Sequence, residues 1–390
     1  MKPLNESAAI KRVMDLIAIP GGSGKEADVA TWITLQLQQA GVPAEAFFTD
    51  TAHKKSPAGG NTGNLIVRLK GTRRGPRRLL MAHMDTVPLA VGAVPVLDGD
   101  WIRPKSPSTA LGGDNRGGCA VVLTAILEIL QQQSDYPPIT LLFTVQEETG
   151  LRGARFLSTT KLGRPELCFN WDGREPASLV IGAVGASNLT IRIQGIASHA
   201  GAHPERGVNA AIVAATALAS LRKSGWHGLV RKGRSRGASN LGVIRGGDAT
   251  NVVMPLVELE AEARSHDSQF RQQIVAAWAA AFQAAASSIT NADGHTGSLE
   301  FHEEIRYEPF RLDPASPCVH AAQQAARTAG SEPRLQICDG GLDANWMALH
   351  GCPTVTLGCG QHDIHTVKER LNIPQYLEAC RIAINAAKGQ

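Results

Sequence analysis

Acidic and imidazole side chains stand where several buried-looking stretches of this 390-residue chain end. They are His83-Met84-Asp85 after Arg78–Ala82, Glu147-Glu148 after Ile139–Val145, and Asp172 after Leu167–Trp171. The carboxyl ends of parallel strands meet at one edge of a sheet, so we expect these side chains to converge. Carboxylates gathered in a cleft repel one another strongly unless cations lie between them. The pattern therefore favours a metal site.

Two further clusters fit the same interpretation. Gly112-Gly113-Asp114-Asn115 opens a predicted helix, and His362-Asp-Ile-His365-Thr366 follows a glycine-rich loop after the last strand. Each group alone has an ordinary explanation, since an Asp at a helix start is usually an N-cap. His362 and His365 lie on one helical or turn face, so their spacing leaves open which of them is a ligand. No Gly-x-Ser-x-Gly and no His-Glu-x-x-His is present, which disfavours a serine hydrolase and a single-zinc thermolysin-type protease.

The elements that must position these residues alternate between helix and strand. Continuous apolar strands of this kind predict an α/β fold with a mainly parallel sheet and helices on both faces. The predicted helices of this part span 5–18, 25–40, 117–131, 318–328 and 374–388, and the strands span 65–69, 78–82, 139–145, 167–171 and 354–357.

The pattern changes after Gly185, where half-exposed strands begin. Strands 188–194, 240–244, 252–263 and 298–305 and helices 208–221 and 268–289 form a β-α-β-β-α-β series. Such a series predicts an inserted α+β domain with an antiparallel sheet and helices on one face. The chain is longer than a single core usually supports. We therefore predict a catalytic domain of residues 1–184 and 311–390, and a lid or dimerisation domain of residues 185–310.

Composition bounds the partners and the compartment. The net charge is only +4, and the basic runs Lys70–Arg78 and Arg231–Arg236 lack interleaved aromatics, so we predict solvated loops and no nucleic-acid binding. Gly21-Gly-Ser-Gly-Lys25 resembles part of a phosphate loop, but it lacks the first glycine, has Glu26 in place of Ser or Thr, and follows a helix instead of a strand. We therefore do not predict nucleotide binding at this segment. Seven cysteines without Cys-x-x-Cys fit a reducing compartment. Met1–Ala18 has a mixed-charge helical pattern, and no stretch approaches the ~20 apolar residues of a membrane span. We expect a cytoplasmic protein with no membrane partner.

The ordered motifs resemble the dizinc hydrolase family of aminoacylases, carboxypeptidases and tripeptide aminopeptidases, and most closely its tripeptide aminopeptidase branch. The resemblance covers nearly the whole chain. The matching motifs are Ala82-His-Met-Asp-Thr-Val-Pro88, Leu111-Gly-Gly-Asp-Asn-Arg-Gly117, Thr144-Val-Gln-Glu-Glu-Thr-Gly150, Trp171-Asp-Gly173, Ser198-His-Ala-Gly201, Asn251-Val-Val253, Ala263-Arg-Ser-His-Asp267, Gly340-Gly-Leu-Asp-Ala-Asn345 and His365-Thr366.

The resemblance implies a ligand set for two Zn²⁺ ions, for which Co²⁺ or Mn²⁺ would be suitable substitutes. His83 and Asp172 would bind one ion, Glu148 and His365 the other, and Asp114 would bridge them. The family pattern places a Thr after the ligand, which favours His365 over His362. It also implies a cis peptide bond between Asp114 and Asn115.

The resemblance assigns further roles. Glu147 would be the general base, pointing away from the ligand Glu148 because side chains alternate along a strand. Asp85 would orient the His83 imidazole. In the inserted domain, His199 of the same or a partner subunit would donate to the oxyanion, and Arg264 would bind a substrate carboxylate. Asn251 and the Gly340-Gly341 loop would line the same pocket.

These roles imply a metal-dependent exopeptidase that cleaves short peptides, of the di- or tripeptide aminopeptidase type. Asp172 stands where deacetylases and carboxypeptidases of the family tend to have Glu, which favours peptides with a free amino end. One alternative is an N-acyl-amino-acid or N-carbamoyl amidohydrolase on the same site. Another is a non-catalytic peptide-binding member, although such members usually lose ligands or the base. An exposed edge strand on the lid is compatible with a homodimer.

Overall fold

Two packing units divide the part of the chain that the computed structural model describes, residues 3–390. The first unit takes in the described chain up to Gly182, together with Arg311–Cys338 and Leu342–Gln390. The second unit takes in Ala183–Phe310 and Asp339–Gly341.

The helices follow the sequence patterns closely, most of them within three residues of the predicted ends. In chain order they are α1 (Glu6–Ala18), α2 (Ala27–Gln39), α3 (Ala52–Lys55), α4 (Gly113–Gln131), α5 (Arg152–Arg155), α6 (Ala210–Lys223), α7 (Ser268–Ser288), α8 (Pro317–Thr328), α9 (Asp343–Leu349) and α10 (Ile373–Lys388).

The strands include several short ones that the sequence patterns do not reveal. In chain order they are β1 (Phe47–Thr49), β2 (Leu65–Leu69), β3 (Arg78–His83), β4 (Pro95–Asp98), β5 (Trp101–Pro104), β6 (Ile139–Thr144), β7 (Leu167–Gly173), β8 (Ser178–Ala183), β9 (Gly185–Gln194), β10 (Gly228–Lys232), β11 (Ser235–Gly246), β12 (Leu256–Ser265), β13 (Ser298–Tyr307), β14 (Phe310–Arg311), β15 (Arg334–Cys338), β16 (Thr354–Gly358), β17 (Gln361–His362) and β18 (Arg370–Asn372).

The large sheet of the first unit has the order β1-β2-β6-β3-β7-β16-β8-β14, with β15 also paired to β8. Its centre, β6-β3-β7-β16, is parallel, whereas β2 and β8 run antiparallel to their neighbours β6 and β16. Every residue of β3 and β6 is buried, as expected for central strands covered on both faces. The predicted mainly parallel α/β sheet is confirmed.

Helix α4 lies directly against β3 and β7. The contact with β7 requires a glycine, because a Cβ atom on Gly118 would lie 2.0 Å from the carbonyl oxygen of Trp171. The side-chain amide of Asn115 lies at the same contact and donates to the carbonyl oxygen of Trp171 at 2.8 Å. The start of α4 is thereby fixed beside the end of β7.

The second unit contains an antiparallel sheet in the order β10-β11-β12-β9-β13. Buried residues alternate along β9 and β12, and the buried face packs with α6 and α7 around Trp278 and Phe282. The predicted separate antiparallel sheet is therefore confirmed.

Two local predictions in this unit are wrong in part. Arg231–Arg236 is solvent-exposed, as predicted, but it is not a loop throughout, because it forms the ends of β10 and β11 and the turn between them, with Arg231 paired to Arg236. Strand β10 is too short for its alternation to stand out. The strand predicted from Val252 begins at Leu256, because Pro255 has no N–H to donate to a sheet.

Among residues 3–390, no helix combines the length and the apolar character needed to cross a membrane.

Candidate metal centre

The five predicted ligands lie in the first unit, where each follows or opens a regular element. His83 is the last residue of β3, and Asp172 lies near the end of the neighbouring parallel strand β7. Asp114 opens α4, Glu148 lies in the loop after β6, and His365 lies between β17 and β18. The strand ends therefore bring these side chains to one edge of the sheet.

Three of these residues form a first triad. The Nε2 atom of His83 lies 3.2 Å from Oδ1 of Asp114 and 3.5 Å from Oδ1 of Asp172. All three side chains are almost fully buried.

Asp114 also belongs to a second triad through its other oxygen. The Nε2 atom of His365 lies 3.2 Å from Oδ2 of Asp114 and 3.0 Å from Oε2 of Glu148. Within each triad the ligand atoms lie within 4.8 Å of one another. Asp114 is thus the residue that the two triads share.

The donor set suits metal ions. The Oδ1 atom of Asp114 is buried and has no hydrogen-bond partner, although His83 lies close to it. A buried acceptor of this kind is costly unless a cation or donor satisfies it. Three imidazole or carboxylate ligands for each ion match the pattern of catalytic zinc positions, which leave one position open.

The metal-free cluster perturbs the pKa values of its own members. Hydrogen bonds to Asp114 and Glu148 raise the pKa of His365 to about 10. Burial alone would lower the pKa of His83, but Asp172 and Asp114 outweigh it, and the pKa rises well above its ordinary value. Burial raises the pKa of Asp172. Without a cation, His365 therefore carries a proton at neutral pH.

Glu147 lies at the edge of the first triad. Its Oε2 atom is 4.0 Å from Nε2 of His83, and its side chain is 11% exposed. Burial, together with the charge of Asp172, raises the pKa of Glu147 well above its ordinary value. Its carboxylate also lies within ligand distance of His83 and Glu148, so both a base and a ligand fit its position.

The predicted reason for the orientation of Glu147 is wrong, because strand β6 ends at Thr144 and residues 145–148 form a loop. Gln146 adopts a positive φ of 54° within it. The directions of Glu147 and Glu148 are therefore set by the loop and not by alternation along a strand.

The four backbone N–H groups of residues 145–148 all donate to side-chain oxygens, and these contacts hold the loop in place. Oδ1 of Asn64 accepts from Val145 at 3.0 Å, and Oε1 of Glu26 accepts from Gln146 at 3.0 Å. The carboxylate of Asp85 accepts from Glu147 at 2.9 Å and from Glu148 at 3.2 Å. Side-chain acceptors thus replace the strand pairing that ends at Thr144.

Asp85 links this loop to His83. The Nδ1 atom of His83 lies 3.1 Å from the backbone oxygen of Asp85 and 3.3 Å from its Oδ1 atom. Oδ2 of Asp85 also accepts from the hydroxyl of Ser23 at 2.6 Å. An acceptor at Nδ1 leaves Nε2 available to a metal ion.

Two supporting carboxylates escaped the sequence patterns. In the sequence Glu26 marks only a departure from a phosphate loop, and Glu369 stands between Lys368 and Arg370, where a solvent-exposed ion pair is the ordinary expectation. Both are buried, and burial raises the pKa of each to about 7. Folding brings each carboxylate to backbone N–H groups that are distant along the chain. Nothing in the local sequence of Glu26 or Glu369 indicates that it accepts from these groups.

His362 lies outside the cluster. Its Nε2 atom lies 2.7 Å from Oε1 of Gln375, and its ring packs edge-on against Trp101 at 5.1 Å between centroids. The structure therefore brings His365, and not His362, to the other predicted ligands. The Asp114–Asn115 peptide bond is cis, as predicted.

His199 and Asn251 are neighbours in the second unit. Residues His199 and Val252 form a bridge, and the backbone oxygen of Asn251 accepts from Ala200 at 2.9 Å. The Nδ1 atom of His199 accepts from the N–H groups of Gly201 and Ala202 at 3.2 and 3.1 Å. The ring proton consequently resides on Nε2.

The other predicted substrate contacts are also in the second unit. Arg264 lies on β12, where its Nη2 atom donates to Oε2 of Glu262 at 2.9 Å. Gly341 packs so closely on Tyr307 that a Cβ atom would lie 2.3 Å from its ring. Gly340 adjoins it in the segment 339–341.

A mainly parallel sheet whose strand ends gather two imidazole–carboxylate triads is the architecture of a metal-dependent hydrolase. A family profile described as peptidase family M20/M25/M40 matches residues 79–388. The chain belongs to this family, and the predicted family and the predicted class of enzyme are confirmed.

Solved structures and relatives agree with this placement. A tripeptidase from Staphylococcus aureus is 29% identical, with a TM-score of 0.89 over 99% of this chain and 98% of that one. Aminopeptidase PepT from Bacillus cereus is 28% identical, with a TM-score of 0.86 over 99% of both chains. Carboxypeptidase G2 from a Pseudomonas species is 29% identical over 378 residues, 93% of this chain and 84% of the relative.

Proposed function

We propose that this protein is a metal-dependent exopeptidase that removes the amino-terminal residue from di- or tripeptides. The observation that carries the proposal is the pair of triads sharing Asp114, with the carboxylate of Glu147 beside His83. The similarity to a tripeptidase and to aminopeptidase PepT over nearly the whole chain supports the substrate class.

In this proposal His83, Asp114 and Asp172 would hold one ion, and Asp114, Glu148 and His365 would hold the other. Two bound divalent ions would polarise the scissile carbonyl and lower the pKa of an attacking water toward about 7. Glu147 takes the proton of that water and passes it to the leaving amine, for which its raised pKa is suited. Asp85 keeps the His83 ring and the Glu147–Glu148 backbone in place.

The second unit is proposed to complete the substrate site. Nε2 of His199 carries the ring proton and can donate to the tetrahedral oxyanion, from the same or a partner subunit. Arg264 offers a planar guanidinium for the substrate carboxylate, and Asn251 and the Gly340-Gly341 segment line the pocket.

The finer assignments belong to the same proposal. Zinc suits the imidazole and carboxylate ligands, with cobalt or manganese as substitutes. Seven cysteines without a disulfide fit a cytoplasmic protein. Strand β13 ends the sheet of the second unit, and this edge supports a homodimer.

The test is hydrolysis of a panel by zinc-loaded and chelator-treated protein. The panel pairs each free di- and tripeptide with its N-acetylated and N-carbamoylated counterpart. We expect cleavage of free peptides that disappears with chelator and returns with zinc. Preference for the blocked substrates would replace the exopeptidase with an amidohydrolase, and metal binding without cleavage of any member would indicate a peptide-binding protein.

A further inference from the structure

The carboxylate of Glu369 is 1% exposed and lies four residues after His365. Its Oε2 atom accepts from the backbone N–H groups of Leu111 and Gly112, each at 2.9 Å. Its Oε1 atom accepts from the N–H of Asp114 at 3.0 Å. The carboxylate of Glu369 therefore fixes the backbone of residues 111–114. This segment carries Asp114, the residue that the two triads share.

Glu369 is the partner of these three N–H groups; those of Leu111 and Gly112 precede the helix, and that of Asp114 belongs to its first turn. The first N–H groups of a helix have no partner within the helix. At the start of α4 the cap residue is Gly112, which has no side chain to supply one, and Asp114 and Asn115 depart from helical φ and ψ. A buried N–H without a partner is costly, so the three contacts to Glu369 determine where this backbone lies.

The same residue closes the loop that carries His365. The N–H of Glu369 donates to the backbone oxygen of Thr366 at 3.1 Å, and His362 pairs with Arg370 at the base of the loop. His365 itself adopts a positive φ of 62°, and its side chain is 48% exposed. Little packing surrounds its ring, so its position depends on the backbone of this loop.

We propose that Glu369 is a positioning residue that fixes the separation of His365 and Asp114, and so sets the affinity of the metal position that they share with Glu148. This inference rests on the proposed function only in taking the triads as metal positions. The other position depends less on Glu369, because His83 and Asp172 stand on the paired strands β3 and β7.

The variant that tests the inference is Glu369→Gln. Glutamine has the same shape but only one acceptor oxygen, so an NH₂ group faces either the N–H of Asp114 or those of Leu111 and Gly112. We expect the ion at the Glu148 position to bind about 10- to 100-fold more weakly, which is the range for losing a partner that orients ligands. The ion at the Asp172 position should change several-fold less.

The measurement is a competition titration of metal-depleted protein with zinc and a chromophoric chelator, which resolves the two dissociation constants without using activity. The matched control is Glu128→Gln, which removes another buried carboxyl from α4 that contacts Gln132 at 3.0 Å, away from both ligand loops. Circular dichroism checks folding, and Glu369→Asp, shorter by one methylene, is the second variant. Excess zinc should restore the kcat of Glu369→Gln.

Unchanged dissociation constants in both Glu369 variants would overturn the inference, and so would an equal loss at both positions. Either result would leave the proposed function intact, provided that the unaltered protein binds two ions and cleaves peptides. If the unaltered protein binds no metal, the proposed function itself fails, so the two failures are distinguishable.

Discussion

The Nε2 atom of His365 lies 3.2 Å from the Oδ2 atom of Asp114, and this contact is the largest cause that raises the pKa of the imidazole to about 10. At neutral pH the ring of the metal-free protein is therefore protonated. A metal ligand must be the neutral imidazole. Protonation and metal binding at this ring consequently exclude each other.

We predict that zinc binding at pH 7 releases protons to the solvent. His365 must lose its proton, and the raised pKa of His83 acts in the same direction. Affinity should rise by about tenfold per pH unit for each proton released. Calorimetric titration in two buffers of different ionisation enthalpy gives the number of protons, and His365→Asn should reduce it. Observed heats that are equal in the two buffers before any correction would mean that no proton is released, and they would contradict the prediction.

The thermal stability of the metal-depleted protein should fall as the pH rises. The folded-state pKa of His365 lies above its ordinary 6.5, so its stabilising contribution is complete below pH 6.5 and disappears as the pH rises through about 10. The raised pKa values of Asp172 and Glu147 act in the same direction. Melting temperatures of chelated and zinc-loaded protein should diverge from pH 6.5 to 10. If the melting temperatures of the two forms depend on pH in the same way, protonation of the ligands does not stabilise the metal-depleted protein.

Replacing Glu147 by Gln should lower kcat by about 100- to 10,000-fold, because the amide cannot take a proton from the attacking water. The zinc content should stay the same, since neither triad that shares Asp114 includes Glu147. Steady-state kinetics on a tripeptide and metal analysis of the same sample measure both quantities, with Glu128→Gln as the control. Loss of one ion in Glu147→Gln would show that Glu147 is a ligand instead of the base.

Asp85→Asn should weaken zinc binding and activity by about 10- to 100-fold. The new NH₂ group would face a backbone N–H of Glu147 or Glu148, where the carboxylate now accepts. Ser23→Ala is the milder comparison, because it removes one donor to Asp85 and leaves the two loop contacts unchanged. A chelator competition assay should rank the two variants in that order; equal effects would mean that the loop contacts of Asp85 are unimportant.

His199→Ala should reduce kcat by about 100- to 1,000-fold with little change in KM, as expected for a group that donates only to the developing oxyanion. The two N–H groups at Nδ1 fix the proton on Nε2, so His199→Gln should retain part of the activity through its own amide donor. A rise in KM at constant kcat would assign His199 to substrate binding instead.

Much of the metal centre was predictable because its ligands stand at the ends of long buried strands. His83 and Asp172 stand at the ends of apolar runs that predict central strands, and the carboxyl ends of parallel strands meet at one edge of the sheet. The choice between His362 and His365 was not predictable from spacing. It depends on the contacts of His362 with Gln375 and Trp101, which come from distant elements.

The supporting carboxylates were not predictable for a related reason. Glu26 and Glu369 act through backbone N–H groups about 120 and 255 residues away along the chain, and any residue type presents such a group. The apolar run predicts a strand that continues through Val145, whereas the structure has a loop at residues 145–148. Its true path depends on acceptors contributed by other segments.

Strand β16 lies between β7 and β8 in the large sheet, although it follows β7 by well over a hundred residues in the chain. During synthesis on the ribosome, β7 and β8 therefore emerge long before the strand that separates them, and all of the second unit is made in the interval. His365 and Glu369 emerge later still. A nascent chain displays His83, Asp114, Glu148 and Asp172 without the last ligand, so the centre can be completed only after the segment that carries His365 has been translated.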